Sequence, residues 1–277
     1  MSCTLRPTSL ASIGLAFGLL AIVRPAAAVE PLDTFNLRVG GYLNRFDTDL
    51  RANGETTSGT DIKLDNDLGL DQGNTIGFVG LNWRPLDHHE FGFSYYNDNV
   101  SATRQLQRDI TVRDTVYHAN STVRAEYKLD AYEVNYVWWG ASHERWALGP
   151  RVGLIWYQVK LGLDLELDTA GNQAGTSASE DVDADLPSPT IGAAWRWTPA
   201  QDWRISADLG YFKANINDVD AEVTYGRLGV EWYPWERVGF LLDYTANKIS
   251  ASVDQSRFNG DVHLRDQGVR VGVAYRF

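Results

Sequence analysis

Beyond residue 28 this 277-residue chain contains no cysteine and no long apolar run. Cys3 is the single cysteine, so no intrachain disulfide can form. The missing apolar run excludes a membrane-spanning helix in that part. If the chain enters a bilayer it does so as strands, because only helices and closed barrels satisfy the backbone in lipid. Lysine is scarce too, with Lys63, Lys128, Lys160, Lys213 and Lys248 the whole set. Acidic residues outnumber basic ones, giving a net charge of −11. That excess argues against nucleic acid as a partner. No Gly/Pro/Ser-rich linker divides the chain, and no long segment has a helical period.

The first residues have the composition of a cleaved leader. Arg6 precedes an apolar run from Leu10 to Val23, followed by Ala26-Ala27-Ala28. The run is 14 residues long, too short to span a bilayer as a helix. The expectation is a signal peptide over 1–28, exported, and one β-domain over 29–277. Removal of 1–28 takes Arg6, Arg24 and no acid, so the charge goes from −11 to −13.

What remains is dominated by period two. Phe35, Leu37 and Val39 alternate with Asn36, Arg38 and Gly40. Phe91, Phe93 and Tyr95 alternate with Glu90, Gly92 and Ser94. This is the patterning of half-buried strands. Ten are expected, near 34–49, 75–84, 89–104, 122–139, 145–166, 187–198, 202–216, 219–233, 237–252 and 263–277, with eight as the alternative. Short connections near Pro85, Gly140, Pro199 and Pro234 alternate with long, polar ones near 50–74, 105–121, 167–186 and 253–262. One connection on the long side, at Asn217-Asp218, is short. Alternating short turns and long loops fit an antiparallel transmembrane β-barrel.

Tryptophan marks a height on that barrel. Trp83, Trp138, Trp139, Trp146, Trp195, Trp197, Trp203, Trp232 and Trp235 all lie beside short turns; Trp156 does not. An amphipathic indole favours the headgroup region, so these nine are expected to form a membrane-interface girdle. Tyr42, Tyr95, Tyr157, Tyr211 and Tyr244 fall about ten residues away and are expected to form the second girdle.

A repeat runs through the descending strands: Gly80-Leu-Asn-Trp83, Gly192-Ala-Ala-Trp195, Gly229-Val-Glu-Trp232 and Gly272-Val-Ala-Tyr275. The last continues to Arg276 and Phe277. This end, with Arg270, Gly272, Tyr275 and Phe277 in order, resembles the C-terminal assembly signal of bacterial outer-membrane proteins. The resemblance implies a small outer-membrane β-barrel that surrenders its last strand to the barrel-assembly machinery. It also implies outer-membrane lipid and lipopolysaccharide as surroundings. Val269, Val271, Val273, Tyr275 and Phe277 should then face lipid. Asp61-Ile-Lys-Leu-Asp-Asn-Asp-Leu-Gly-Leu-Asp71 is similar to a segment of uncharacterised proteobacterial members, a family without an activity to transfer.

By parity, Arg38, Arg84, Glu90, Glu133, Arg151, Arg196, Arg204, Glu231, Arg270 and Arg276 face inward, with Asp98, Asp208, Arg227 and Asp243. Charges this deep must pair. They are expected to plug the lumen or to form a selectivity constriction. A ten-stranded lumen is only slightly wider than one that side chains fill, so an open pore is not expected.

The acidic loops, Asp61 to Asp71 and Asp164 to Asp185, suggest divalent cations. Asp65-Asn66-Asp67-Leu68-Gly69 nevertheless fails the EF-hand pattern, with Ile76 where Glu is required. No metal or cofactor is expected. Asp261-Val-His263 with Asp65-x-Asp67 is the one constellation that suggests hydrolysis, and His88, His89 and His143 lie at turns. Apolar parity switches after Trp156 and near Asp130-Ala131. Either bulges or strands rising above the lipid produce such a switch. The expected function is a non-enzymatic envelope scaffold or surface-interaction barrel. The alternatives are a narrow solute channel and a lipid- or peptide-cleaving enzyme.

Overall fold

The computed structural model describes residues 29–54, 57–70, 73–167, 179–216, 219–254 and 259–277. Residues 1–28, read above as a signal peptide, lie outside the described residues, as do Asp71 and Asp168. Ten long strands run β1 Phe35–Ala52, β2 Thr75–Leu86, β3 His89–Gln105, β4 Thr122–Trp138, β5 Trp146–Leu167, β6 Ser179–Ala200, β7 Trp203–Ile216, β8 Val219–Trp232, β9 Val238–Asp254 and β10 Asn259–Arg276. Each pairs antiparallel with its neighbours in sequence. β1 also pairs with β10, from Asn36 opposite Arg276 to Ala52 opposite Gly260. The sheet is therefore a closed ten-stranded barrel without a free edge at the chain ends. Short two- and three-residue strands occur in the connections, at Ile62–Lys63, Ile110–Val112, Thr115–Tyr117 and Ala141–Ser142.

The strands stand where alternation places them, except that β6 and β10 begin earlier. β10 begins at Asn259 instead of near 263. β6 begins at Ser179 instead of near 187, because Asp181, Asp183 and Asp185 alternate with Val182, Ala184 and Leu186. That acidic stretch pairs with β5, Ser179 opposite Asp164 to Leu186 opposite Tyr157.

β5 shows how the parity switch arises. Trp146, Leu148, Val152 and Trp156 point outward and are exposed; Ala147, Arg151 and Ile155 point inward and are buried. Past Trp156 the outward positions become Gln158, Lys160 and Asp164, and the buried ones Tyr157, Val159, Leu161 and Leu163. The register with β6 runs unbroken through the change, and so does that with β4 from Val123 to Val137. There is no bulge at either switch point. The side chains keep their faces, and the surroundings of the two faces exchange. Below the switch the outside is apolar and the inside charged; above it the outside is polar and the inside apolar.

The apolar outer belt is one stripe deep on every strand. On β5 it covers eleven residues from Trp146 to Trp156, matching the roughly 9–11 residues of a tilted transmembrane strand. Above it the upper core is closed by two loops. Ile62, Leu64, Leu68 and Leu70 of the first, and Leu106, Ile110, Val112 and Tyr117 of the second, are buried in the common apolar cluster. Thr60 N–H donates to the Thr111 carbonyl at 2.9 Å and Arg108 Nη2 meets Asp67 Oδ2 at 2.7 Å, tying one loop to the other. The segment Asp61–Leu70 thus turns its leucines down and its acids out.

At the C-terminus Phe277 and Phe35 exchange backbone hydrogen bonds of 2.7 and 3.0 Å, and their rings lie 4.7 Å apart. Val271, Val273, Tyr275 and Phe277 point outward and are exposed; Val269 is half-buried. Gly272 faces Gly40 on β1, and a Cβ there would run into the Val39 carbonyl. The glycine of the repeat is a close backbone approach at the closing seam.

The charged lumen as candidate functional site

The lower lumen is built in three layers, each from inward positions of different strands. The lowest layer gathers round Asp33, which precedes β1. Arg204 on β7 donates to it twice, at 2.6 and 2.7 Å, and to Glu231 Oε2 at 3.1 Å. Arg276 lies 3.7 Å from the Asp33 carboxylate. Tyr233 donates its hydroxyl to Glu231 at 2.8 Å, and the guanidinium carbons of Arg204 and Arg276 lie 5.4 and 4.7 Å from its ring centre. Burial alone would raise the Asp33 pKa. The charge and hydrogen bonds of Arg204 outweigh it, so the carboxyl is held below its ordinary value. Arg204 also donates to the Glu30 carbonyl at 2.7 Å, so the segment before β1 folds under the barrel.

The middle layer is a chain of ion pairs. Asp208 on β7 accepts Arg196 Nη1 at 2.7 Å and Arg227 Nε at 2.8 Å. Arg196 reaches Glu90 at 3.9 Å, and Glu90 accepts from Asn82 at 2.5 Å. Asn82 in turn accepts from Arg38 at 2.5 Å. Across the lumen Arg151 meets Glu133 at 2.5 Å and Ser94 donates to the same carboxylate at 3.2 Å. Arg270 packs over Tyr42, Phe78 and Tyr96, 5.0 to 5.6 Å from the ring centres.

The top layer is centred on Asp266 of β10, which is fully buried. It accepts hydrogen bonds from Tyr42 at 2.5 Å, from Tyr96, from Tyr157 at 3.2 Å and from Asn247 at 3.4 Å. The apolar upper core begins directly above. Two cavities lie among these side chains, each of about 20 Å³, enough for a single water molecule.

All ten lumen candidates are inward-facing except in one respect. Arg84 sits at the lower rim, half-buried, and donates to the carbonyls of Asp33 and Asp87 at 3.1 Å. It caps a turn and takes no part in the ion pairs.

Eight of the nine girdle tryptophans lie on the outer face, with Trp195 half-buried and the others exposed. Trp139 differs. It is 0% exposed, donates its Nε1 to Glu90 at 3.2 Å and lies under Arg196. Adjacent residues of a strand point to opposite sides, so with Trp138 outside, Trp139 is inside. The second girdle is corrected likewise. Tyr95, Tyr211 and Tyr244 face outward, joined by Tyr132 and Trp156, whereas Tyr42 and Tyr157 are the lumen donors to Asp266.

The remaining candidates are scattered. Arg51 holds Asp61 at 2.5 Å and Asp261 at 3.3 Å, and Ser252 donates to Asp261 at 2.6 Å. Burial pushes the Asp67 carboxyl up, but hydrogen bonds from Arg108 and the Lys63 N–H bring it below its ordinary value. His263 is exposed on the outer face. His88 Nδ1 contacts the Trp139 carbonyl at 2.8 Å, His89 Nδ1 the Tyr136 hydroxyl at 2.7 Å, and the His143 ring lies tilted against Trp146, 4.4 Å between centres. Among the described residues no cluster of three or more His, Cys, Asp or Glu is arranged to hold a metal ion.

No family model matches the chain, and no curated protein matches its sequence. Solved structures do match. The outer-membrane protease OmpT of Escherichia coli aligns over 88% of this chain and 96% of its own, with a TM-score of 0.55 and 11% identity. Neisserial surface protein A aligns over 88% and 97%, with a TM-score of 0.31 and 10% identity. Ail, the attachment invasion locus protein of Yersinia pestis, aligns over 88% and 100%, also at 0.31 and 10%. Of these three the first bears on architecture, and at such identity it bears on fold alone. The chain has the fold of a bacterial outer-membrane β-barrel.

Proposed function

We propose that this protein is an integral outer-membrane barrel with a sealed lumen, acting as an envelope scaffold or surface-interaction protein without catalytic activity. One observation carries the reading: the lumen is filled from end to end, by ion pairs below and by an apolar core with two loops above. A solute crossing it would have to break buried ion pairs and then displace the apolar core. Neither step is compatible with a standing channel. Purified protein in planar bilayers is expected to give no stepwise conductance. Steps abolished by Arg196→Ala would establish the channel instead.

The hydrolase reading rests on Asp261, His263, Asp65 and Asp67. Asp261 and Asp67 are already engaged by arginines. Peptide or lipid cleavage that disappears in His263→Ala would establish it.

The last strand is the proposed handle for the barrel-assembly machinery. Phe277 contributes two backbone hydrogen bonds at the rim and a ring that is 60% exposed. Deleting it removes about 1–3 kcal/mol of hydrogen bonding at most. The folded barrel should therefore stay resistant to SDS, while the amount reaching the membrane falls several-fold. Pulse-chase assembly in cells measures the second effect, and normal rate and yield would contradict it.

A further inference from the structure

Just above the apolar belt, the outward face of β9, β10 and β1 carries three cations that have no ion-pair partner among the described residues. Lys248 lies directly opposite Arg265, and Arg265 opposite Asp47; one step lower, Gln267 lies opposite Arg45. All three cationic side chains are exposed. Among the described residues, no carboxylate lies within ion-pairing distance of any of them, Asp47 included. Most other cations of this polar face are paired, Arg124 on β4 being an exposed exception that still has Asp164 directly opposite. Lys128 meets Glu126 at 3.0 Å, Lys213 meets Glu222 at 3.4 Å, Lys160 meets Asp183 at 3.8 Å, and Arg51 bridges two aspartates. In an acidic chain with few lysines, acids to pair with were plentiful. Like charges directly opposite on paired strands destabilise a sheet, so Lys248 facing Arg265 calls for an external anion.

Height on the barrel says where that anion comes from. Tyr244, Val269 and Leu43 are the topmost large apolar outward positions of the three strands, and the cations stand one or two outward positions above them. At about 3.4 Å per residue this is roughly 7–14 Å along the strand, the depth of lipid headgroups. Arg45 also borders a groove of about 480 Å³ between β1 and the first loop, lined by Asp47, Asp65 and Leu70. Carboxylates there can accept hydroxyl groups, and guanidinium forks suit phosphate.

We propose that Arg45, Lys248 and Arg265 form a binding site for the phosphorylated sugar headgroup of an outer-leaflet glycolipid. The site rests on the membrane placement proposed above. Phosphate would neutralise the like-charged pair, and the sugar would lie toward the groove.

The test compares full-length protein with Arg45→Gln/Lys248→Gln/Arg265→Gln, and with Lys128→Gln/Lys160→Gln/Lys213→Gln as an equal loss of charge. Native mass spectrometry in detergent counts bound lipid A, either bisphosphorylated or dephosphorylated. The first variant should retain the phosphorylated form about tenfold more weakly than the parent, and the second as the parent does. The parent should retain the dephosphorylated form no better than the first variant does. Equal retention by the first variant, or of both lipids by the parent, would overturn the site. Inorganic phosphate that fully displaces the glycolipid would assign it to a soluble anion and overturn the lipid assignment. A second readout covers a variant that folds poorly. Lys248→Gln alone should raise the unfolding temperature without glycolipid, by relieving repulsion, and reduce the stabilisation that glycolipid gives the parent. Stabilisation undiminished in Lys248→Gln would also overturn the site. Gel mobility before heating checks separately whether each protein is a folded membrane barrel, so failure of the placement is distinguishable from failure of the site.

Discussion

Asp208→Asn should lower the stability of the folded barrel by about 3–5 kcal/mol. Asp208 lies on the inward face of β7 and is buried, with both oxygens engaged by guanidinium groups. Arg196 donates to Oδ1 at 2.7 Å, and Arg227 donates to Oδ2 through Nε at 2.8 Å and through Nη2. Asparagine keeps the shape and removes the charge. Two buried cations then face each other, with Glu90 at 3.9 Å from Arg196 as the nearest remaining acid in ion-pairing range. Breaking a buried pair costs far more than the pair itself contributes, because the desolvated partner stays behind. A matched exposed pair supplies the control. Lys213 and Glu222 lie 3.4 Å apart on the outer face, with side chains 65% and 49% exposed. Glu222→Gln should change stability by no more than about 1 kcal/mol. Urea unfolding in lipid vesicles measures both. If Asp208→Asn costs no more than the control, water reaches Asp208 and screens the charges, and the lumen is not sealed.

Much of this was legible in the residues, for one physical reason. A strand alternates its faces with period two, so a correct strand boundary also assigns the face of every residue on it. Alternation alone places Glu90, Glu133, Arg151, Arg196 and Arg270 inside. Distance from a turn gives a height and says nothing about a face, so it does not assign Tyr42 and Tyr157; their parity, shared with Arg38 and Arg151, points inward. Trp139 follows the same rule, because alternation separates it from Trp138. Asp33 carried no readable signal. It lies before β1, outside any alternating segment, and only the folding of residues 29–34 beneath the lumen brings it to Arg204. The parity switch after Trp156 was ambiguous in principle. A bulge moves side chains to the other face, and a change of surroundings reverses what each face prefers; both give the same pattern. Only the unbroken pairing of β5 with β4 and β6 separates them.

That reversal also supplies the sharpest test of the membrane placement. Val152 lies mid-belt on β5, outward and 47% exposed. Ser101 lies on the outward face of β3 above the belt and is exposed as well. In water, lysine at either site would be nearly neutral, since exposed surface substitutions usually stay within about 0.5 kcal/mol. In a bilayer they separate, because a lysine on the lipid face near the midplane costs about 2–4 kcal/mol and one near or above the interface costs about 0–1. The measurement is the unfolding free energy of Val152→Lys and Ser101→Lys in lipid vesicles. A loss of about 2–4 kcal/mol for Val152→Lys with almost none for Ser101→Lys is expected. Two equally small losses would mean that the apolar belt does not face lipid.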